Sequence, residues 1–273
     1  MGISPKNELR QFLDEDIGKG DITSKLVKKK QVKAKIITRE KCIVSGTNYI
    51  KQLFSLKNCK VKIIKNDGSF VKPNQVIVEI TGLSGSILMC ERTALNLLSR
   101  MSGIATETNE FVKKIKKTKS KLFSTRKTAP GLRFFDKYSV EIGGGHKHRM
   151  KLDEMVMIKD NHIAVHDSIS TLIKKAKKKH KKIEVEVENE NDAIIAAKLG
   201  VNIILLDNFT PKKIIHVIKN LEKHNLRKKI KLEASGGINL KNIHNYAKTG
   251  VDMISVGTIT NSPKSIDMSL EIS

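Results

Sequence analysis

From residue 120 onward the sequence repeats one unit, a short apolar run, a polar or glycine-containing turn, then a stretch with helical spacing. The pattern predicts strands at 121–125, 139–142, 155–159, 183–187, 202–206, 230–234 and 253–256, and helices at 168–179, 190–199, 211–224 and 239–248. Strands that alternate with helices connect through right-handed crossovers and pair in parallel. This confines the segment to an α/β barrel short of one unit or to a doubly wound open sheet. In both, the groups that do chemistry stand at the C-terminal ends of the strands.

The earlier part of the chain has a different rhythm. A short helix is expected at 5–14, followed by a glycine turn in DIGKGDIT (16–23) and alternating segments at 32–38, 60–65 and 75–81 that suit a small sheet. DGSFVKPNQVIVEITG (67–82) reads as a hairpin. From 86 to 117 the spacing turns helical, with Leu88, Leu95, Leu98 and Met101 on one face and Gly103 as an expected break. This helix is expected to join two domains, the number that 273 residues suggest.

Net charge is +24, from 52 Lys+Arg against 28 Asp+Glu, a balance that attracts polyanions such as nucleic acid, nucleotides or phosphorylated sugars. Aromatic residues are only 4% of the chain, Trp is absent and no nucleic-acid-binding motif occurs, so specific nucleic-acid binding is not expected. The lysine runs KKIKKTKSK (113–121) and KKAKKKHKK (174–182) fall at expected helix ends, where cations are favoured. Only eight of the 52 cations are Arg, and five of these (Arg92, Arg100, Arg126, Arg133 and Arg149) lie between residues 92 and 149. A guanidinium fork binds carboxylate or phosphate bidentately, which lysine cannot do. Cys42, Cys59 and Cys90 form no C-x-x-C pair, and this argues against a disulfide framework or a zinc ribbon. With no apolar leader in MGISPKNELRQFLDEDIG and no apolar run of membrane length, a cytoplasmic protein is expected.

The expected strand ends carry Thr125-Arg126-Lys127, the GGGHKHR segment with His148 and Arg149, and Lys159, so cations converge on one rim. Glu184, Glu186 and Glu188 alternate on IEVEVEN and share one strand face, and Asp207 closes the next apolar run. Carboxylates in a strand buried on both faces need paired cations or a bound Mg²⁺. The last two units end in Ser235-Gly236-Gly237 and Val256-Gly257-Thr258, turns that let backbone amides approach a phosphate. His146, His148 and His162 do not read as a zinc triad, because Lys147, Arg149 and Lys159 would repel a dication. No P-loop, nucleophile elbow or dinucleotide fingerprint is present.

Taken in order, DEDIGKGDIT (14–23), ERTALNLLSRMSGIAT (91–106), TRKTAPGLR (125–133), KYSVEIGGGHKHR (137–149), MVMIKDNH (155–162), EVEVEN (184–189), LLDN (205–208), EASGGI (233–238) and ISVGT (254–258) resemble the quinolinate phosphoribosyltransferase family. The resemblance spans nearly the whole chain. It implies an N-terminal α/β open sandwich over residues 1–105, onto which the C-terminal tail packs back, and an incomplete (β/α) barrel over 106–273, in a homodimer or a multiple of dimers. It also implies that quinolinate and phosphoribosyl pyrophosphate react with Mg²⁺ to give nicotinate mononucleotide, pyrophosphate and CO₂ in NAD synthesis. Carried over residue by residue, Arg126, His148, Arg149 and Lys159 would hold the quinolinate carboxylates, joined by Arg92 from the neighbouring subunit. Lys127 would face the pyrophosphate or the reacting centre, and Glu186 and Asp207 the ribose hydroxyls and Mg²⁺. Ser235, Gly236, Gly237 and Gly257 would cradle the 5′-phosphate, and Thr125, Val256 and Thr258 would join the substrate contacts. The competing readings are a paralogous transferase acting on nicotinate or a molybdenum-transport-linked ring, and a basic nucleic-acid-binding scaffold.

Overall fold

In the computed structural model, which describes residues 5–166 and 168–273, the chain runs through α1 (Pro5–Ile17), β1 (Gln31–Thr38), β2 (Cys42–Ile43), α2 (Thr47–Ser55), β3 (Lys60–Ile63), β4 (Phe70–Val71), β5 (Val76–Leu83) and α3 (Ser84–Ile115). It continues through β6 (Lys121–Phe123), α4 (Arg133–Ile142), β7 (Val156–Ile158), α5 (Asp160–His166), α6 (Ile169–Lys177), β8 (Ile183–Val187), α7 (Glu190–Lys198) and β9 (Ile203–Asp207). The last elements are α8 (Pro211–Lys223), β10 (Lys231–Ser235), α9 (Ile243–Ala247), β11 (Met253–Ser255), α10 (Thr258–Asn261) and β12 (Met268–Ile272). No helix among the described residues is long and apolar enough to cross a membrane.

Two units emerge. The first runs to Asn109 and takes in Thr128–Gly144 and Thr258–Ser273, and the second consists of Glu110–Lys127 and Gly145–Gly257. In the first, an antiparallel sheet has the order β12-β1-β5-β3, with β2 and β4 paired separately. Strand β1 alternates as a half-buried strand should, Val32, Ala34 and Ile36 pointing inward. The C-terminal β12 lies along β1 from Ala34↔Ile272 to Thr38↔Met268. Leu9, Ile36, Ile50, Phe54, Ile77 and Phe135 belong to one buried core.

Three local expectations change here. Residues 139–142 are the end of helix α4, not a strand: Phe135, Asp136, Ser139 and Val140 are buried one helical turn apart, a period too long to show within four residues. Segment 67–82 is not a hairpin, since β4 pairs with β2 while β5 pairs with β1 and β3. Gly103 does not break α3; a Cβ there would meet the Lys264 carbonyl oxygen at 1.8 Å, so the glycine permits close chain approach instead.

The second unit is a parallel sheet in the order β6-β11-β10-β9-β8-β7. Successive strands from β7 to β11 are neighbours, and the last then pairs with the first, β6. That is the connectivity of a barrel with one stave missing, between β6 and β7. The chain after α4 partly fills this edge: His146 bridges Phe123, donating to the Leu122 carbonyl at 2.8 Å and accepting from the Ser124 amide at 3.0 Å. Strands β8, β9 and β11 are buried along nearly their whole length, as parallel strands covered on both faces are. Three of the unit's helix starts are written locally. Ser168, Asn189 and Thr210 cap α6, α7 and α8 by accepting the amides of Thr171, Asp192 and Lys213, and Pro211 opens α8.

Candidate active site

Strand β8 sets the depth scale of the site. Its inward face presents Glu184 fully buried, Glu186 half-buried and Glu188 exposed, so one row of carboxylates climbs from the interior to the rim. At rim level Lys159, just after β7, donates from Nζ to Glu186 Oε2. Asp207 ends β9 opposite Ser235 of β10, and its Oδ2 accepts from Asn208 Nδ2 at 2.7 Å. Burial raises the Asp207 pKa against the pull of Lys159 and Lys127, with Glu188 and Asp160 adding to the rise.

A cationic side faces this row. Arg149 donates from Nη1 to the Met155 carbonyl at 2.9 Å. Burial and then repulsion from Arg126 hold its pKa below the ordinary arginine value, with Glu184 and Glu154 opposing. The Nε of Arg126 is buried and has no hydrogen-bond partner. Two guanidiniums in mutual repulsion, one with an unused buried donor, are not a structural ion pair, and their chemistry suits an anion.

The turns above β9, β10 and β11 complete the rim. Gly236 has φ +94°, and a Cβ there would sit 2.2 Å from Asn208 Oδ1; the Asn208 amide meanwhile donates to the Ser235 carbonyl at 2.9 Å. Only glycine lets these two turns touch. Gly237 follows with φ +62°. At Gly257 a Cβ would approach Lys127 Cδ at 3.1 Å and Thr125 Oγ1 at 3.5 Å, which places the β11 and β6 turns side by side. Thr125 Oγ1 accepts the Lys127 amide at 3.1 Å, and buried Val256 donates its amide to the Phe123 carbonyl at 3.1 Å.

Thus Thr125, Arg126, Lys127, His148, Arg149, Lys159, Glu186, Asp207, Ser235, Gly236, Gly237, Val256 and Gly257 all lie in the second unit. Arg92 and Thr258 belong to the first unit, Arg92 exposed on α3 and Thr258 exposed at the start of α10. Sequence reasoning assigned no role to Glu184 or Glu233, which meet His148 beneath the rim: His148 Nε2 lies 3.0 Å from Glu184 Oε2 and 3.5 Å from Glu233 Oε2. The alternation EVEVE was the available signal for Glu184. Burial disfavours the charged His148 ring, but the two carboxylates outweigh it and push the pKa up. The Arg149 amide donates to the other ring nitrogen, Nδ1, at 2.9 Å.

Glu186 and Asp207 offer the carboxylate oxygens that Mg²⁺ takes, while Lys159 and Lys127 pull on Asp207 harder than Glu188 and Asp160 push. The residues therefore fit that ion.

Two family models cover the chain: Quinolinate phosphoribosyl transferase, N-terminal domain, over residues 21–102, and its C-terminal domain over 104–271. A relative from Methanocaldococcus jannaschii, named probable nicotinate-nucleotide pyrophosphorylase (carboxylating), is 45% identical over 97% of this chain and 95% of its own length. The solved nicotinate-nucleotide pyrophosphorylase of Francisella tularensis matches 100% of this chain and 98% of its own at 39% identity and TM-score 0.92. That of Ehrlichia chaffeensis matches 100% of both chains at 39% identity and TM-score 0.94.

Proposed function

We infer the roles of the site from the family this chain belongs to, the quinolinate phosphoribosyl transferases: it transfers the phosphoribosyl group of phosphoribosyl pyrophosphate to quinolinate with loss of CO₂, forming nicotinate mononucleotide and pyrophosphate for NAD synthesis. The reading of individual residues rests on one observation, the Arg126–Arg149 pair with its open buried donor, set among strand ends that also carry Lys159, Glu186 and Asp207.

Quinolinate brings two carboxylates. Arg126, Arg149 and Lys159 receive them, with His148 beside Arg149. The turns at Ser235, Gly236, Gly237 and Gly257 offer backbone amides to the 5′-phosphate, and Lys127 faces the pyrophosphate or the reacting centre. Departure of pyrophosphate leaves positive charge on the ribosyl centre, which Glu186 and Asp207 stabilise. The same two carboxylates would hold Mg²⁺, which would supply positive charge for the leaving pyrophosphate. Once the ring nitrogen is alkylated, the pyridinium withdraws the electron pair of the breaking C–CO₂ bond. The chain's contribution is positioning and electrostatics, with no covalent enzyme intermediate. The assembly in this reading is a homodimer or a multiple of dimers, the partner subunit's Arg92 joining the quinolinate cations.

The test is a single assay with Mg²⁺ and phosphoribosyl pyrophosphate, supplied with quinolinate or nicotinate in parallel, following the mononucleotide and CO₂. Product and CO₂ from quinolinate alone are expected. Turnover of nicotinate alone would replace the dicarboxylate pocket with a monocarboxylate one.

A further inference from the structure

Two carboxylates buried on the floor of a site that must bind a dianion are an electrostatic contradiction unless they serve something inside the protein. Glu184 is 0% exposed and the Glu233 side chain 1%. Both aim at His148, whose side chain is 8% exposed. Glu233 is itself fixed by the Ser255 hydroxyl of β11, which donates to its Oε1. The three ligand-type atoms lie within 4.8 Å of one another, a spacing that a metal ion could occupy. The other ring nitrogen argues otherwise. A metal-bound histidine ordinarily donates its second ring N–H to a neighbour, whereas His148 Nδ1 accepts from the Arg149 amide at 2.9 Å. That contact uses Nδ1 as an acceptor, while Nε2 carries its proton between the carboxylates.

The consequence is mechanical. His148 sits in the segment that runs beside β6, held there by the His146 bridge to Phe123, and its ring reaches inward to β8 and β10. The next residue, Arg149, is tied at its amide to the His148 ring and at its guanidinium to the Met155 carbonyl ahead of β7. The Arg149 backbone is thereby located from β8 and β10 through one imidazole. Both His148 nitrogens face the protein, so its part in binding is exerted through Arg149.

We propose that Glu184 and Glu233, acting through His148, are positioning residues that hold Arg149 in the quinolinate pocket. This rests on the reading that Arg149 binds a quinolinate carboxylate, and the experiment separates the two. Steady-state kinetics with both substrates varied would compare the native enzyme with E184Q, E233Q, H148N, the E184Q/H148N double variant and R149A, thermal melting reporting the fold of each. R149A is expected to raise KM for quinolinate. E184Q and E233Q are expected to raise it about tenfold with KM for phosphoribosyl pyrophosphate unmoved, and the double variant to be no worse than H148N, because the glutamate acts through the ring. If R149A leaves that KM unchanged, the pocket reading fails. If R149A raises it while E184Q does not, or if the double variant's losses multiply, the positioning inference fails and the pocket stands. Should the glutamine variants not fold, ¹⁵N spectroscopy of the native imidazole decides. A proton on Nε2 with Nδ1 bare supports the proposal, and any other state overturns it. Retention of one equivalent of added Zn²⁺ through dialysis, lost in H148N, would also overturn it in favour of a metal site.

Discussion

Arg100 and Arg126 are the same residue type in the two units, and the chain uses them in opposite ways. In the first unit Arg100 spends its fork on fully buried Asp136, Nε to Oδ1 at 2.8 Å and Nη2 to Oδ2 at 2.9 Å, with a further bond to the Thr260 carbonyl at 3.1 Å. In the second unit Arg126 keeps a buried Nε without a partner and faces another guanidinium. A buried polar group left open by its own protein is costly, so it persists where something else will satisfy it. The saturated arginine is spent within the fold, and the unsaturated one is the proposed quinolinate ligand.

The comparison breaks most directly by removing each residue. R126A is expected to lower kcat/KM for quinolinate by roughly 100- to 1000-fold, the cost of truncating one partner of a buried charged pair, while its melting temperature stays near that of the native protein. R100A is expected to do the reverse, leaving buried Asp136 uncompensated at about 3–5 kcal/mol of stability, with the activity of the folded fraction retained. Kinetics and thermal unfolding of the two variants check this. Equal destabilisation by both would erase the distinction.

That contrast also marks how far the sequence could be read. The clustering of Arg92, Arg100, Arg126, Arg133 and Arg149 pointed to recognition by guanidinium forks, yet nothing local distinguishes Arg100 from Arg126. The difference lies in Asp136, a helix away on α4, and pairing across the fold leaves no trace in spacing. Strands β9 and β11 were legible as short apolar runs ahead of a turn, and β8 as an alternation of apolar residues and glutamates closed by the capping Asn189. Residues 139–142 were misread because four residues cannot separate a period of 2 from one of 3.6. Glu233 escaped notice because a single glutamate in EASGG shows no pattern; only the His148 ring, arriving from the segment beside β6, gives it a role.

Within the second unit the comparison sharpens at rim level, where charges are paired but not saturated. Lys159 already holds Glu186, so Mg²⁺ binding should lean on Asp207. D207N is expected to raise the Mg²⁺ concentration for half-maximal rate by roughly tenfold or more, as loss of one of two carboxylate ligands should, and E186Q by less. Titrating turnover with Mg²⁺ after chelation checks the order. An unchanged Mg²⁺ requirement in D207N would remove that residue from the metal.

The smallest effect separates two glycines. Gly103 in the first unit and Gly236 in the second both have no room for a Cβ, the one against the Lys264 carbonyl at 1.8 Å and the other against Asn208 Oδ1 at 2.2 Å. Their backbones differ: Gly103 sits inside helix α3, whereas Gly236 has φ +94° in a turn. Alanine at 103 must push one main chain off another, so G103A is expected to lower stability with both KM values unmoved. Alanine at 236 meets both the Asn208 side chain and its backbone nitrogen, the latter at 2.8 Å, and it adds backbone strain of about 1–3 kcal/mol. Because the strained turn is the proposed phosphate cradle, G236A is expected to raise KM for phosphoribosyl pyrophosphate several-fold while KM for quinolinate holds. Measuring both KM values in both variants tests this, since a rise confined to quinolinate in G236A would move the phosphate away from the β10 turn.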